Sequence, residues 1–309
     1  MLALRPDMTM QVARIATTRL ANRPRPLRLG YAGQVVQVKG SQLRPERQFG
    51  QVGAEILGAA APGADAEVIL MAAAAVEQLG LTELTVDLGL PTLVPSVLAD
   101  FDLDAEAGTR LRTALDRKDM VEVGEMAPVI GGATAALLST LVATTGPAEE
   151  ALAALMQAPL SPAAAAERGA LAAVFECVRA GAPTLGLSID PVENRGFEYH
   201  TGVTFTLFAR NVKGELGRGG RYIAGNGNGG GEPATGVTLF MDSVLRAMPA
   251  QKRSPRLFLP LGTPVDEGRR LREAGWITIG GLEPTSQPET EAARLRCSHA
   301  FVNGEVRAL

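Results

Sequence analysis

The stretch Glu193-Asn194-Arg195-Gly196-Phe197-Glu198-Tyr199-His200-Thr201-Gly202, followed by an alternating run and then by Gly217-Arg218-Gly219-Gly220-Arg221-Tyr222, decides how this chain is read. Val203, Phe205 and Leu207 alternate with Thr204, Thr206 and Phe208, the period of two that a half-buried strand requires. Arg195-Gly196 lets the backbone turn tightly beside a fixed cation, because glycine reaches backbone angles closed to other residues. Two guanidiniums and two tyrosines, Tyr199 and Tyr222, then meet in what reads as a polar pocket on the floor of a sheet. A hairpin with solvated arginines fits the same chemistry, and the residue types do not choose between the two.

Composition narrows the class. The chain has 309 residues and 46% hydrophobic content, and its mean hydropathy is +0.10, enough to bury a sizeable core spread over two or three domains. A net charge of −3 and a pI of about 5.6 give no basic surface to hold a polyanion, so no nucleic-acid partner is expected. Cys177 and Cys297 stand alone, without metal-ligand spacing, and read as packing residues in a reducing compartment. The longest apolar stretch, Val68 to Val76, is bounded by Glu67 and Glu77 and is too short to span a bilayer. With no basic segment leading into an apolar core and cleavage site at the start, a cytoplasmic protein without membrane contact is expected.

Working outward, Leu2-Ala3-Leu4 reads as a strand, and Asp7 and Thr9 stand at a helix start, each in capping range. Leu27, Leu29 and Tyr31 alternate, Val35 and Val36 lead to a turn at Lys39-Gly40-Ser41, and Phe49 to Leu57 returns as a second strand. Gln51 and Glu55 lie an even number of residues apart on that strand and so face one side, the pocket side. Ala64 to Leu79 reads as a helix over a sheet and Leu84, Val86 and Leu88 as a strand. From Leu103 to Ala182 alanine-rich helical periodicity is broken at Gly131-Gly132, Gly146-Pro147 and Pro159 to Pro162. Arg110, Arg112, Asp116, Arg117 and Lys118 read there as a solvated helix face. Leu185, Leu187 and Ile189 alternate into the pocket segment, Asn226 to Gly231 reads as a glycine-rich loop, and Pro233 to Leu245 as a strand entering a helix. The fold class expected is α+β: an antiparallel sheet flanked by helices over residues 1–102 and 183–252, an all-helical insertion at 103–182, and a small C-terminal α/β unit at 253–309. In that last unit Asn303-Gly304 signals a hairpin, and His299 is isolated.

Arg195-Gly196-Phe197-Glu198-Tyr199-His200-Thr201-Gly202 followed by Gly219-Gly220-Arg221-Tyr222 resembles the two histidine-recognition segments of histidyl-tRNA synthetases and of their paralogue, the ATP phosphoribosyltransferase regulatory subunit. The likeness covers residues 2–58 and 183–250 and implies a class II aminoacyl-tRNA synthetase-like fold. It implies that Asp7 and Thr9 grip a ligand amino group, although helix capping explains both equally. Gln51, Glu55, Arg195, Tyr199 and Tyr222 become, by the same likeness, the remainder of a histidine pocket.

The departures from the synthetase pattern bear on activity. The arginine that clamps the ATP α-phosphate is matched by Gln37, the glutamate two residues later by Lys39, and the ATP-binding arginine of the third motif by Ser243. An amide or hydroxyl cannot supply the charge-assisted, bidentate contact of a guanidinium. His200 stands where the synthetases have a second tyrosine. The resemblance therefore implies a non-catalytic regulatory subunit that needs no cofactor or metal. Such a subunit would self-associate, join the catalytic chain of the short-form ATP phosphoribosyltransferase in a hetero-octamer, and take L-histidine as effector. An active histidyl-tRNA synthetase and a free-standing histidine sensor are the alternatives. The synthetases carry a dimer-forming helix and strand ahead of the position matching Leu2, so a fragment, a late start and a shortened member all fit the start of the chain.

Overall fold

Val12, Ala13 and Ala16 bury one side of α1 (Thr9–Thr17), and the alternation after it forms β1 (Leu27–Val36), which pairs antiparallel with β2 (Gln48–Leu57) from Leu27↔Leu57 to Val36↔Gln48. The computed structural model describes residues 4–38, 47–193, 199–210, 212–225, 231–249 and 254–309. The readings of Leu2-Ala3, the Lys39-Gly40-Ser41 turn, Arg195 and most of the Asn226 loop fall outside them. Leu4 is exposed and belongs to no strand.

Proline at its first position opens α2 (Pro62–Gln78), where its missing N–H costs nothing, and β3 (Leu84–Gly89) follows. A helical stretch then runs through α3 (Leu93–Val97), α4 (Ala105–Asp116), α5 (Met120–Glu125), α6 (Ala127–Ile130) and α7 (Gly132–Ala143). It continues through the two-residue strand β4 (Gly146–Pro147), α8 (Ala148–Gln157) and α9 (Pro162–Gly181). The breaks fall at Gly131, whose φ of 79° suits glycine, at Gly146-Pro147, and at Ser161, whose hydroxyl caps α9 by accepting from the Ala164 N–H.

Beyond α9 come β5 (Gly186–Asp190), β6 (His200–Ala209), β7 (Gly217–Ala224), β8 (Glu232–Phe240) and α10 (Met241–Ala247). The eight strands order as β1-β2-β8-β7-β6-β3-β5-β4. The pairing is antiparallel throughout except between β3 and β5, so the sheet is mixed. Parallel neighbours need a long crossover, and the helices between β3 and β5 supply it. Val68, Ile69 and Val76 of α2 and Leu171 and Val174 of α9 pack with Val86, Phe205 and Leu207 into one apolar core on that face of the sheet.

One polar reading is corrected. Lys118 is not on a solvated face: held at φ 58° between α4 and α5, it sends its ammonium to both carboxylate oxygens of buried Asp190, at 2.5 and 2.6 Å. Arg110 pairs with Glu122 and Glu125. Cys177, expected to pack, is exposed on α9, while Cys297 is buried.

The chain divides into two compact units, Met1–Pro249 and Ala250–Leu309. The second holds β9 (Arg256–Leu259), α11 (Val265–Glu273), β10 (Ile277–Gly280), α12 (Pro288–Arg294), β11 (His299–Val302) and β12 (Glu305–Ala308), with strand order β10-β9-β11-β12. Asn303 and Gly304, at φ 53° and 83°, turn the β11–β12 hairpin. His299 meets the Trp276 ring edge-on at 4.6 Å. Among the described residues no helix is long and apolar enough to cross a membrane.

Candidate functional site

Side chains alternate along a strand, so Gln51, Gly53 and Glu55 of β2 share the sheet face opposite the helical core. Across the sheet they pair with Phe240, Thr238 and Gly236 of β8, and β7 sets Arg218 beside Thr238, Gly220 beside Gly236 and Tyr222 beside Ala234. The centre of this grid is nearly without side chains, and two of its glycines are required by what lies on them. A Cβ at Gly236 would fall 1.8 Å from Glu55 Oε2, and one at Gly53 would fall 2.3 Å from the Tyr31 ring. Glycine there lets the carboxyl and the ring lie on the floor.

Glu55 is 1% exposed. Tyr222 donates its hydroxyl to Glu55 Oε2 at 3.1 Å, Tyr31 donates to Oε1 at 3.4 Å, and the Thr9 hydroxyl also bonds the carboxyl. Burial outweighs these donors, and the nearby Asp7 charge adds to it, so the Glu55 carboxyl is pushed up to about 8. Burial, together with the Glu55 charge, also raises the Tyr31 and Tyr222 hydroxyls. Tyr31 is linked further to Thr238 Oγ1 at 2.6 Å and to Thr9 Oγ1 at 3.2 Å.

The other end of the cleft is built on Asp7. Its Oδ1 accepts the Thr9 N–H at 2.7 Å, and its Oδ2 accepts from Gln51 Nε2 at 3.0 Å, while Gln51 Oε1 accepts the Met8 N–H at 3.1 Å. Asp7 thus holds the backbone at the start of α1 and faces the cleft at once, but neither expected cap forms: the cap position is Met8, no side chain caps α1, and the Thr9 hydroxyl bonds Tyr31 instead. Tyr199 is exposed over the site, 4.0 Å from the His200 ring and 6.2 Å edge-on from Tyr222; His200 is buried and pairs with Tyr222 across β6 and β7. The cavity at the Asp7 end is small, about 60 Å³, and Gln37 and Phe240 also line it.

Six of the seven residues expected from the sequence, Asp7, Thr9, Gln51, Glu55, Tyr199 and Tyr222, come together here, and the seventh, Arg195, lies outside the described residues. Of the other arginines in the opening stretch, Arg221 faces away. It bonds Asp65 of α2 at 2.6 Å and the carbonyls of Ala59 and Ala61. Arg218 is the one that lines the cleft. Period-two counting back from Tyr222 through Gly220 reaches Arg218 and skips Arg221, a signal present in the sequence. Tyr31 and Thr238 were also missed as site residues, because their role depends on pairing across strands. Ser243 is buried in α10, where its hydroxyl accepts from Arg246 Nη2 at 3.2 Å.

Residues 1–244 match the family described as histidyl-tRNA synthetase. The ATP phosphoribosyltransferase regulatory subunit of Paramagnetospirillum magneticum is 57% identical over 97% of this chain and 77% of its own length. Among solved structures, an ATP phosphoribosyltransferase regulatory subunit/histidyl-tRNA synthetase from Bacillus halodurans matches with a TM-score of 0.76 at 22% identity, over 94% of this chain and 77% of that one. A chain of the ATP phosphoribosyl transferase (HisG:HisZ) complex from Thermotoga maritima matches at 0.60 and 17% identity, over 77% of this chain and 81% of that one. These two likenesses speak to the fold, and the closer relative speaks to the family. The chain belongs to the ATP phosphoribosyltransferase regulatory subunits, a histidyl-tRNA synthetase-like family within the class II aminoacyl-tRNA synthetase fold.

Proposed function

We propose that this chain is the non-catalytic, histidine-sensing subunit of a short-form ATP phosphoribosyltransferase, with phosphoribosyl transfer carried out on a separate catalytic chain in the cytoplasm. The observation that carries this reading is the division within the cleft. At the amino-acid end Asp7, Thr9, Gln51, Glu55 and Tyr222 are linked by hydrogen bonds, in part through Tyr31, whereas the positions matching the ATP-gripping arginines hold an amide at Gln37 and a buried hydroxyl at Ser243. Stabilising a transferring phosphoryl group needs preorganised positive charge, and neither residue supplies it.

In this reading Asp7 and Gln51 take the ammonium of L-histidine, Glu55 accepts its imidazole N–H, and Arg195, by the family likeness, takes its carboxylate. Glu55 must be ionised to accept that bond well, so binding draws its proton off. Histidine and the catalytic reaction are then joined by a coupling free energy between two sites, and that coupling runs both ways for binding. The Thermotoga maritima complex supports a catalytic partner for this chain, which by resemblance would self-associate within a hetero-octamer.

The test is reconstitution. The purified chain is mixed with the catalytic subunit, and formation of phosphoribosyl-ATP is followed with and without L-histidine. Activity that depends on this chain and falls with histidine supports the proposal. Activity of the catalytic subunit that is indifferent to this chain overturns it.

A further inference from the structure

We infer that Arg218 is a specificity-determining residue of this cleft: its guanidinium reads the carboxylate of the bound amino acid, so that the site takes a zwitterion in preference to the matching amine. The inference rests on the amino-acid reading given above and extends it to a residue that the family likeness does not assign.

The charges are distributed across the sheet in two walls. Asp7 and Glu55 stand on the α1 and β2 side, and Arg218 stands on β7, with β8 lying between β2 and β7. Two strand spacings separate the walls by about 10 Å along the floor. Among the described residues, the strands present Gly236, Gly220 and Thr238 to that gap, all uncharged. Arg218 borders both lobes of the cleft, the one around Asp7 and Gln51 and the one around Glu55 and Tyr222. Its Cζ lies 6.0 Å from the Phe240 ring centroid, at the range where an aromatic face supports a guanidinium. Tyr199 likewise borders both lobes, so it and Arg218 stand together between the Asp7 end and the Glu55 end of the cleft.

This arrangement sorts ligands by charge. A plain amine satisfies Asp7 and Glu55 but brings a second cation towards Arg218. A second ligand carboxylate would meet Asp7 and Glu55. A zwitterion satisfies both walls, and a guanidinium gives its carboxylate a charge-assisted, bidentate partner.

The experiment is a two-by-two calorimetric comparison on the full chain: L-histidine and its decarboxylated analogue histamine, each titrated into wild type and Arg218→Gln. Losing one charge-assisted contact should weaken L-histidine by about tenfold or more. Histamine should bind the variant as well as it binds wild type, or better. Arg218→Lys keeps the charge without the planar fork and should fall between the two; it carries the comparison if circular dichroism shows that the glutamine variant is not folded. An L-histidine affinity for the variants within about twofold of wild type, with Arg195→Ala alone weakening it, would overturn the inference, as would equal losses for both ligands. Failure of wild type to bind L-histidine at all is a different result, because it rejects the amino-acid reading on which the inference stands.

Discussion

Glu55 brings together burial, three hydroxyl donors and a neighbouring carboxylate, and the sign of their sum is testable. Its folded carboxyl titrates near 8 against an ordinary value of 4.5, so between those pH values the folded state holds a proton that the unfolded chain has lost. The unliganded protein should therefore lose stability as pH rises through this window. The groups that act on the Glu55 carboxyl are Tyr222 of β7, Thr9 of α1, Asp7 of the α1 lead-in and Tyr31 of β1. Glu55→Gln keeps the shape and removes the charge. It should be more stable than wild type at pH 8.5 by about 1 to 3 kcal/mol and differ little at pH 5. Urea unfolding at the two pH values measures this, and a variant that tracks wild type at both would mean that water or a neighbouring cation already serves the carboxylate. The placement of Gln51 and Glu55 was legible, because an even spacing on a strand fixes a common face. Tyr31 was not, since its alternating position looks like any strand residue until Gly53 is found beneath its ring.

Strands and helices were legible where period and punctuation agree, as at β1, β6 and the breaks around Gly131, Gly146 and Ser161. The joining of those elements was not. Lys118 and Asp190 are 72 residues apart, and no local pattern announces their meeting. Asp190 also accepts the Thr145 hydroxyl at 3.3 Å and the Val192 N–H at 3.2 Å, so it fastens the α4–α5 junction to the turn that leads towards the cleft. Burial raises the nearby Asp87 carboxyl, the Ser188 hydroxyl opposes that, and Asp190 adds to it. The Lys118 side chain is 31% exposed and that of Asp190 only 8%, so the two partners are not equivalent. Lys118→Met leaves a carboxylate stranded in the interior and should cost about 2 to 4 kcal/mol. Asp190→Asn leaves a lysine that can turn to water and should cost about 1 kcal/mol. Denaturant midpoints of the two variants, at pH 7, give the comparison. Equal costs would show that the contact behaves as an ordinary surface pair.

At the scale of the whole molecule, the positions that match the two ATP-gripping arginines of the synthetases hold Gln37 and Ser243. Histidine-dependent pyrophosphate exchange should therefore be absent from the purified chain. Gln37→Arg together with Ser243→Arg should not restore it, because Ser243 is buried in α10 and His200 also departs from the synthetase pattern. Exchange at the rate of an ordinary synthetase would remove the regulatory reading.

The assembled enzyme offers the decisive measurement, because it separates sensing from assembly. If the cleft is the sensor, Glu55→Ala and Arg195→Ala should each raise the histidine concentration needed for half inhibition, by about 10- to 100-fold for the loss of one charge-assisted bond in a site shielded from water. Glu55 lies at the cleft floor and is 1% exposed, so its truncation leaves the outer surface of the chain as it was. Light scattering of the mixed subunits should accordingly report the same assembly for both variants as for wild type. Assembly and inhibition are measured on the same preparations, so a variant that fails to assemble cannot be mistaken for one that fails to sense. Should both variants assemble and keep wild-type sensitivity to histidine, the effector acts on the catalytic chain or at the boundary between the two chains, and the cleft is an inherited feature without that role.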